Sequence, residues 1–235
     1  SKIVIVVAAC VTLLLYSKKD PSPFPSVESH QRTKQLLLIL HNECRRMKLR
    51  YFIIGGTLLG SNRHGDIIPW DDDADVGMNA EDTEALMQQN EYLEAEYGAS
   101  VISVREGLYK LKYKSCREFV DIFVFRKCDA GYEYSGQWAR NLWPKYYLRS
   151  HQYNQLETYP FGTVTDQKGK LHRLMLHGIS DSDEYLTRAF GNWKQSQISH
   201  SHGDVIGYWD AYGNTYRKCS VVVLSFAVII SALIF

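Results

Sequence analysis

The acidic segment at residues 70–77 (WDDDADVG) constrains this chain more than any other feature of its sequence. Alternate side chains of a β-strand share a face. A strand here would present Asp71, Asp73 and Asp75 on one face and apolar side chains on the other. Three carboxylates spaced two residues apart repel one another unless a cation neutralises them, and their hard oxygen ligands suit Mg²⁺ or Mn²⁺. An acidic surface turn is the alternative interpretation of this segment taken alone.

A later carboxylate, Asp121, lies inside the apolar run at residues 119–125. A lone carboxylate in such a run is costly to bury unless it is paired or binds a metal ion. If its strand lies beside the acidic segment, Asp121 completes a three-carboxylate metal site with Asp73 and Asp75. The alternative is an ion pair with one of the nearby basic side chains, which are Lys110, Lys112 and Arg126.

Two glycines, Gly55 and Gly56, follow a β-rich segment at residues 50–54. A strand that ends in glycines and opens a helix can bring backbone N–H groups against a phosphate. The hydroxyl of Thr57 could add a further contact. Glycines mostly serve backbone geometry, so the pair alone is weak evidence. Its position just ahead of the acidic segment nevertheless predicts a phosphate-binding turn.

The hydrophobic pattern predicts a single α+β domain. Apolar residues recur at three- and four-residue steps through residues 31–48, which predicts a helix. A capping box at Asn79 predicts a second helix that continues to about residue 97. A last helix is predicted from Asp181, whereas residues 127–160 are aromatic and irregular. Three strands of an antiparallel meander are predicted at residues 99–105, 108–113 and 118–125.

The ends of the 235-residue chain are apolar. Residues 1–19 are predicted to be a signal-anchor or a cleaved signal, and residues 20–30 a Pro-rich stem. Residues 31–219 would form the catalytic domain, followed by an apolar segment at 220–235 that is a candidate membrane span. The net charge of +1 gives no strong electrostatic field for nucleic acid, which is therefore not an expected partner.

Residues 55–78 (GGTLLGSNRHGDIIPWDDDADVGM) resemble the signature of the LicD/fukutin family. Within them, residues 63–70 are especially similar to the fukutin-related members. The stretches at 120–123 (VDIF) and 185–193 (YLTRAFGNW) resemble the later acidic strand and the closing motif of the family. The resemblance spans residues 50–193 and implies a nucleotidyltransferase-like, polymerase-β-like fold with a mixed sheet flanked by helices.

This resemblance implies a metal-dependent transferase that uses a CDP-alcohol donor. Such an enzyme passes phosphocholine or ribitol phosphate to a hydroxyl of a glycan, glycoprotein or glycolipid and releases CMP. By position, Asp73, Asp75 and Asp121 resemble the ligands of Mg²⁺ or Mn²⁺, and Asp71 is a fourth candidate catalytic residue. The resemblance also implies a single-pass type II protein of the Golgi or ER membrane, anchored through its N-terminal segment, with a lumenal catalytic domain.

The donor-binding residues are predicted from their place in the sequence. A structural hydrogen bond is the alternative role for His64. Lys110 shares a strand face with Lys112, so a solvated face is the alternative role for that pair. The residues expected to contact the donor are Gly55, Gly56, Thr57, Arg63, His64 and Lys110.

A catalytically inactive glycan-binding or scaffolding relative in the secretory pathway is the rival function. The four retained carboxylates argue against it, since an inactive relative usually loses at least one of them. The transferred alcohol and the acceptor glycan stay open.

Overall fold

The computed structural model describes residues 25–195. Its helices are α1 (Val27–Met47), α2 (Gly55–His64), α3 (Ala80–Met87), α4 (Asn90–Tyr97), α5 (Gln137–Leu142), α6 (Ser150–Asn154) and α7 (Ser182–Phe190). Its strands are β1 (Tyr51–Ile53), β2 (Ala74–Met78), β3 (Ala99–Arg105), β4 (Leu108–Tyr113), β5 (Phe119–Cys128), β6 (Gly131–Tyr134), β7 (Leu156–Thr165) and β8 (Leu171–Ile179).

A central mixed sheet organises the fold, with the strand order β3-β4-β5-β2-β1-β8-β7 and β6 paired to β5. Strand β2 runs parallel to β5 and antiparallel to β1, and β1 runs parallel to β8. The predicted meander of β3, β4 and β5 is confirmed, since both of its pairings are antiparallel. The fold is therefore a mixed α/β structure. The predicted mixed sheet flanked by helices is confirmed.

Helix α1 begins earlier than the sequence predicts. Its N-cap is Ser26, whose side chain accepts a hydrogen bond from the backbone N–H of Ser29. This cap satisfies a donor that the first turn of a helix otherwise leaves without a partner. Residues 27–30, assigned to the stem, are consequently the first turn of α1. The apolar stripe of the helix is buried as predicted, at Leu36, Leu37, Leu40 and Cys44.

The single helix predicted from Asn79 to residue 97 is instead two helices, α3 and α4. Asn79 caps α3 as expected, because its side chain accepts from the backbone N–H of Asp82. The break follows from Asn90, which starts α4. Its side chain donates to the Val101 carbonyl at 2.9 Å and accepts from the Val101 N–H at 2.7 Å. Asn90 thereby ties the start of α4 to β3, which separates α4 from α3.

Strands β7 and β8 form a hairpin that is not predicted from the sequence. The register of the hairpin shifts between Pro160 and Thr163, and Gly162 at this irregularity has a φ of +66°. This irregularity interrupts the alternation of buried and exposed side chains by which strands are predicted. The hairpin matters for the fold because β8 pairs with β1 through Ile53 and Gly178.

Within residues 25–195, none of the helices combines the length and the apolar character that crossing a membrane requires. The predicted terminal segments, residues 1–19 and 220–235, lie outside the described residues, as do residues 20–24 of the stem and 196–219 of the predicted domain.

Candidate active site

Five aspartates meet at the middle of the sheet. Strands β2 and β5 are neighbours, and Asp75 stands directly opposite Asp121 in their register. Carboxylate oxygens of Asp73, Asp75 and Asp121 all lie within 4.8 Å of one another. Asp71, Asp72 and Asp73 meet the same distance criterion. The structure therefore brings together the three residues that the sequence predicts as a metal site.

The predicted strand geometry of the acidic segment is wrong at its first residues. Strand β2 begins only at Ala74, so Asp71 and Asp73 precede it. A turn forms there because the Asp71 N–H donates to the Ile68 carbonyl at 2.9 Å. Asp71 thus approaches the site from a turn, whereas Asp75 approaches it from the strand. The predicted apolar face is confirmed, since Ala74 is buried.

Three of the carboxylates are buried and that of Asp75 is partly buried, although these groups repel one another. Asp71, Asp73 and Asp121 are 7%, 3% and 7% exposed. Burial raises the pKa of Asp75, and the neighbouring charges of Asp73, Asp121 and Asp71 raise it further. Buried like charges are costly without a compensating cation. The site is accordingly an anionic pocket.

Lys110 supplies one positive charge to this pocket. Its ammonium Nζ lies 3.0 Å from a carboxylate oxygen of Asp121. Asp121 therefore fits both interpretations, because it pairs with a basic side chain and also belongs to the carboxylate cluster. Arg126 pairs with Glu133 instead.

The glycine turn packs against the carboxylates. Gly55 has a φ of +54°, and a Cβ on it would lie 2.8 Å from the Asp75 Oδ2. A Cβ on Gly56 would lie 2.7 Å from the Asp71 Oδ2. Side chains at these positions would push the carboxylates away, so the two glycines permit the close approach of helix and acidic strand.

The polar groups of this turn form hydrogen bonds within the protein. The Gly56 N–H donates to the Asp75 carboxylate at 3.2 Å, and the Gly55 N–H donates to the Tyr185 hydroxyl at 3.3 Å. The Thr57 hydroxyl accepts from the Asp75 N–H at 2.6 Å. The predicted phosphate-binding groups therefore hold the acidic strand in place, with both glycines still lining the cavity.

Arg63 and His64 lie at the opposite end of α2 from the glycine turn. This ten-residue helix is about 15 Å long, so the two residues lie well away from the glycine turn. The Arg63 Nη1 donates to the Trp193 carbonyl at 3.3 Å, and the His64 ring contacts the Trp70 ring edge-on at 6.0 Å between centroids. Neither residue lines the cavity described below. These contacts favour the structural alternative for His64.

A cavity of about 520 Å³ opens above the carboxylates. Its walls include Lys110 and Arg105, so two cationic groups face four acidic ones. One side consists of five aromatic side chains that we call the aromatic wall, namely Tyr134, Trp138, Trp143, Tyr146 and Phe190.

The aromatic wall is not predicted from the sequence. Four of its members come from the region at residues 127–160, for which no element was predicted, and Phe190 comes from α7. Trp143 is central, with ring centroids 5.8 Å from Trp138 and 6.2 Å from Tyr146. Aromatic enrichment in this region is the one signal in the sequence that points to the wall.

Helix α1 supports the loops on both sides of the carboxylates. Arg32 pairs with the buried Glu118 at 2.9 Å, just before β5, and lowers the pKa of that carboxyl to about 2. Lys34 pairs with Asp66 at 2.9 Å, in the loop before β2. The His30 imidazole donates to the Asp71 backbone carbonyl at 2.8 Å. One helix thus anchors both acidic segments.

The family model described as LicD/FKTN/FKRP, nucleotidyltransferase domain, matches residues 48–167 of this chain. The lipopolysaccharide cholinephosphotransferase LicD of Haemophilus influenzae is 31% identical over 106 residues, which are 38% of this chain and 40% of that protein. The ribitol 5-phosphate transferase FKRP of Mus musculus is 35% identical over 104 residues, 42% of this chain and 17% of that protein.

An uncharacterized protein of Rickettsia prowazekii is 30% identical over 167 residues, 71% of this chain and 57% of that protein. The chain thus spans little more than half the length of the curated relatives it matches, and less of some. The solved lincosamide antibiotic adenylyltransferase LnuA aligns with a TM-score of 0.36 and 16% identity over 70% of this chain and 89% of that one, a similarity too low to carry an argument.

Proposed function

The chain belongs to the LicD/FKTN/FKRP nucleotidyltransferase-domain family, and from that premise we propose that it is a metal-dependent phosphotransferase with a polymerase-β-like fold. It moves a phospho-alcohol group, of the phosphocholine or ribitol phosphate type, from a CDP-linked donor to a glycan hydroxyl and releases CMP. The names of the Haemophilus and mouse relatives, a cholinephosphotransferase and a ribitol 5-phosphate transferase, support this class of reaction.

The observation that carries the proposal is the cluster of Asp73, Asp75 and Asp121, whose oxygens lie within 4.8 Å of one another. These three residues would hold Mg²⁺ or Mn²⁺, because both ions prefer carboxylate oxygens and bind substrate phosphates as well. The bound ion would offset the negative charge of the donor phosphates. The chemistry of the residues present therefore fits the cofactor.

The remaining side chains would position the reactants. Lys110 and Arg105 line the cavity and carry positive charges suited to phosphate oxygens. The acceptor hydroxyl oxygen forms a bond to the distal phosphorus of the donor, while the bond from that phosphorus to the bridging oxygen breaks. The electron pair leaves with CMP. Asp71, which lines the cavity beside Gly56, would accept the hydroxyl proton.

The aromatic wall would limit the access of water and present ring faces to the acceptor. Sugars have apolar C–H surfaces that pack on aromatic rings, so the wall suits a glycan partner. A Golgi or ER membrane location stays a prediction, since it depends on residues outside the described range.

The test uses the full chain, purified with either Mg²⁺ or Mn²⁺, and a panel of CDP-choline, CDP-ethanolamine, CDP-glycerol and CDP-ribitol with glycan acceptors. The measured quantity is the release of CMP. We expect release from one donor and its loss in Asp73→Ala. The matched control is Asp129→Asn, which removes an exposed aspartate at the end of β5 and should leave the release unchanged.

Two other outcomes would change the conclusion. A folded protein that binds Mn²⁺ but releases no CMP from any donor would indicate a missing acceptor or a donor that is not CDP-linked. A folded protein that binds no metal ion would contradict the catalytic assignment of the three aspartates.

A further inference from the structure

The position of Lys110 is fixed by the backbone of the sheet. Strand β4 pairs antiparallel with β5, and Lys110 stands directly opposite Asp121 in that register. Asp121 in turn stands opposite Asp75 on β2. The ammonium group and two of the three clustered carboxylates therefore come from adjacent positions on three neighbouring strands.

The Lys110 side chain is held by two groups of the same strand. Its Nζ lies 3.0 Å from the Asp121 carboxylate and 3.1 Å from the centroid of the Phe119 ring. Phe119 and Asp121 are two residues apart on β5, so they share a face. The ion pair is largely shielded, with the two side chains 22% and 10% exposed. A cation–π contact and a carboxylate thus fix the charge at the edge of the anionic cluster.

We propose that Lys110 is an internal counterion that occupies the electrostatic place of the metal ion in the metal-free protein. When the ion binds, the ammonium group separates from the Asp121 carboxylate and binds the donor phosphates in the cavity. The inference rests on the proposed function, because it takes Asp73, Asp75 and Asp121 as the metal ligands.

This role gives Lys110 opposite effects on two ligands. A metal ion entering the cluster has to break the Lys110–Asp121 pair and is repelled by the ammonium charge, so Lys110 weakens metal binding. A donor diphosphate is attracted by the same charge once the metal ion is present. Replacing a residue with a purely structural role would change the affinities for both ligands in the same direction or leave both unchanged. Opposite shifts in the two affinities are therefore the signature of the counterion.

The experiment measures the affinity of the full chain for Mn²⁺ by isothermal titration calorimetry, and then its affinity for CDP at saturating Mn²⁺. In Lys110→Met and Lys110→Gln we expect Mn²⁺ to bind about tenfold more tightly and CDP about tenfold more weakly. Lys110→Arg keeps the charge and should stay close to the original protein in both. The matched control is Lys112→Met, which removes a lysine of the same strand face that does not line the cavity.

The outcomes separate this inference from the function on which it rests. Mn²⁺ affinity that is unchanged or weaker in Lys110→Met and Lys110→Gln would overturn the counterion while leaving the metal site intact. Absence of Mn²⁺ binding in every variant would overturn the metal site and the inference with it. If a variant unfolds in EDTA, recovery of its circular dichroism spectrum on adding Mn²⁺ supports the inference, and failure to recover contradicts it.

Discussion

The fold contains two polar clusters, each partly buried, that differ in how their members satisfy one another. The acidic cluster joins Asp73 and Asp75 to Asp121 across β2 and β5. The second, which we call the histidine cluster, joins His41 of α1 and Tyr51 of β1 to the backbone of His177 on β8. The Tyr51 hydroxyl accepts from the His177 N–H at 3.3 Å and lies 2.6 Å from the His41 Nδ1.

The histidine cluster is held together by neutral groups. Burial lowers the pKa of His41 to about 4, with the nearby His177 and Arg45 as lesser causes. A neutral imidazole accepts the proton of the Tyr51 hydroxyl, which leaves that oxygen free to accept the backbone N–H. Every hydrogen bond in the cluster therefore has a donor and an acceptor within the protein.

The acidic cluster shows the opposite arrangement. Its carboxylates are all acceptors when ionised and repel one another, and the Lys110 ammonium paired with Asp121 offsets only part of their negative charge. A polar cluster that satisfies itself contributes to the stability of the fold. One whose negative charge exceeds the positive charge beside it is suited to binding a cation. Changes in each cluster should accordingly affect different measurements.

The largest expected effect is on activity, from Asp75→Asn. The substitution removes a metal ligand and should lower the rate of CMP release about a thousandfold, which corresponds to about 4 kcal/mol in the activation free energy. In EDTA the same variant should unfold at a melting temperature about 2–4 °C higher, because one repelling charge is gone. Retained activity with a lower melting temperature would assign Asp75 to the structural class instead.

A smaller effect, on stability alone, is expected from Tyr51→Phe. The Tyr51 side chain is 1% exposed, so the loss of its hydroxyl leaves the His177 N–H and the His41 ring short of a partner. The free energy of unfolding, measured by urea denaturation, should fall by about 1–3 kcal/mol. CMP release at 25 °C should be nearly unchanged. A large loss of activity without a loss of stability would erase the distinction between the clusters.

The histidine cluster should also give stability a pH dependence. The pKa of His41 falls from an ordinary 6.5 to about 4 on folding, so the unfolded chain binds the proton more readily. The stabilisation is fully present above about pH 6.5 and is lost as the pH falls towards about 4. Urea denaturation across this range should show a decline that is flatter in His41→Phe.

As a control, the pH series should be repeated with and without His41→Phe in a protein that also carries Asp75→Asn. The raised pKa of Asp75 acts in the opposite direction, since a carboxyl that holds its proton more tightly in the folded state relieves its own penalty as the pH falls. An equal decline with and without His41 would show that other groups cause it.

The smallest effect is expected from an exposed ion pair that belongs to neither cluster. The Lys168 Nζ lies 3.2 Å from a Glu96 oxygen, with the side chains 83% and 41% exposed. Lys168→Ala should change the free energy of unfolding by less than about 0.5 kcal/mol, because water screens such pairs. This variant sets the baseline for both clusters, and a loss comparable to that of Tyr51→Phe would show that the assay does not resolve them.

Local signals account for what the sequence predicts well. Strands β3 and β4 have the predicted bounds, 99–105 and 108–113, because alternation and a short link act within a few residues. The meeting of Asp73 and Asp75 with Asp121 is predicted on the condition that their strands are neighbours, and the pairing of β2 with β5 meets that condition. The roles of the site residues as ligands and catalysts stay predictions.

Distant pairings account for what the sequence misses. The link between β1 and β8 joins Ile53 to Gly178, and no local pattern encodes a contact over that separation. The aromatic wall escapes prediction for the same reason, since its rings come from separate elements. The position of Asp71 depends on a turn to Ile68 that alternation along a strand does not describe.

The hydrogen bond between Gly55 and Tyr185 has a consequence for biosynthesis. The two residues are 130 positions apart, and the hydroxyl comes from α7, the last helix of residues 25–195. A chain still emerging from the ribosome lacks this contact until nearly all of the described domain has been made. Contacts of long sequence separation form late, because the entropy of loop closure has to be overcome first. The acidic strands are consequently synthesised before Tyr185, and a nascent chain carries the carboxylates before the cavity is complete.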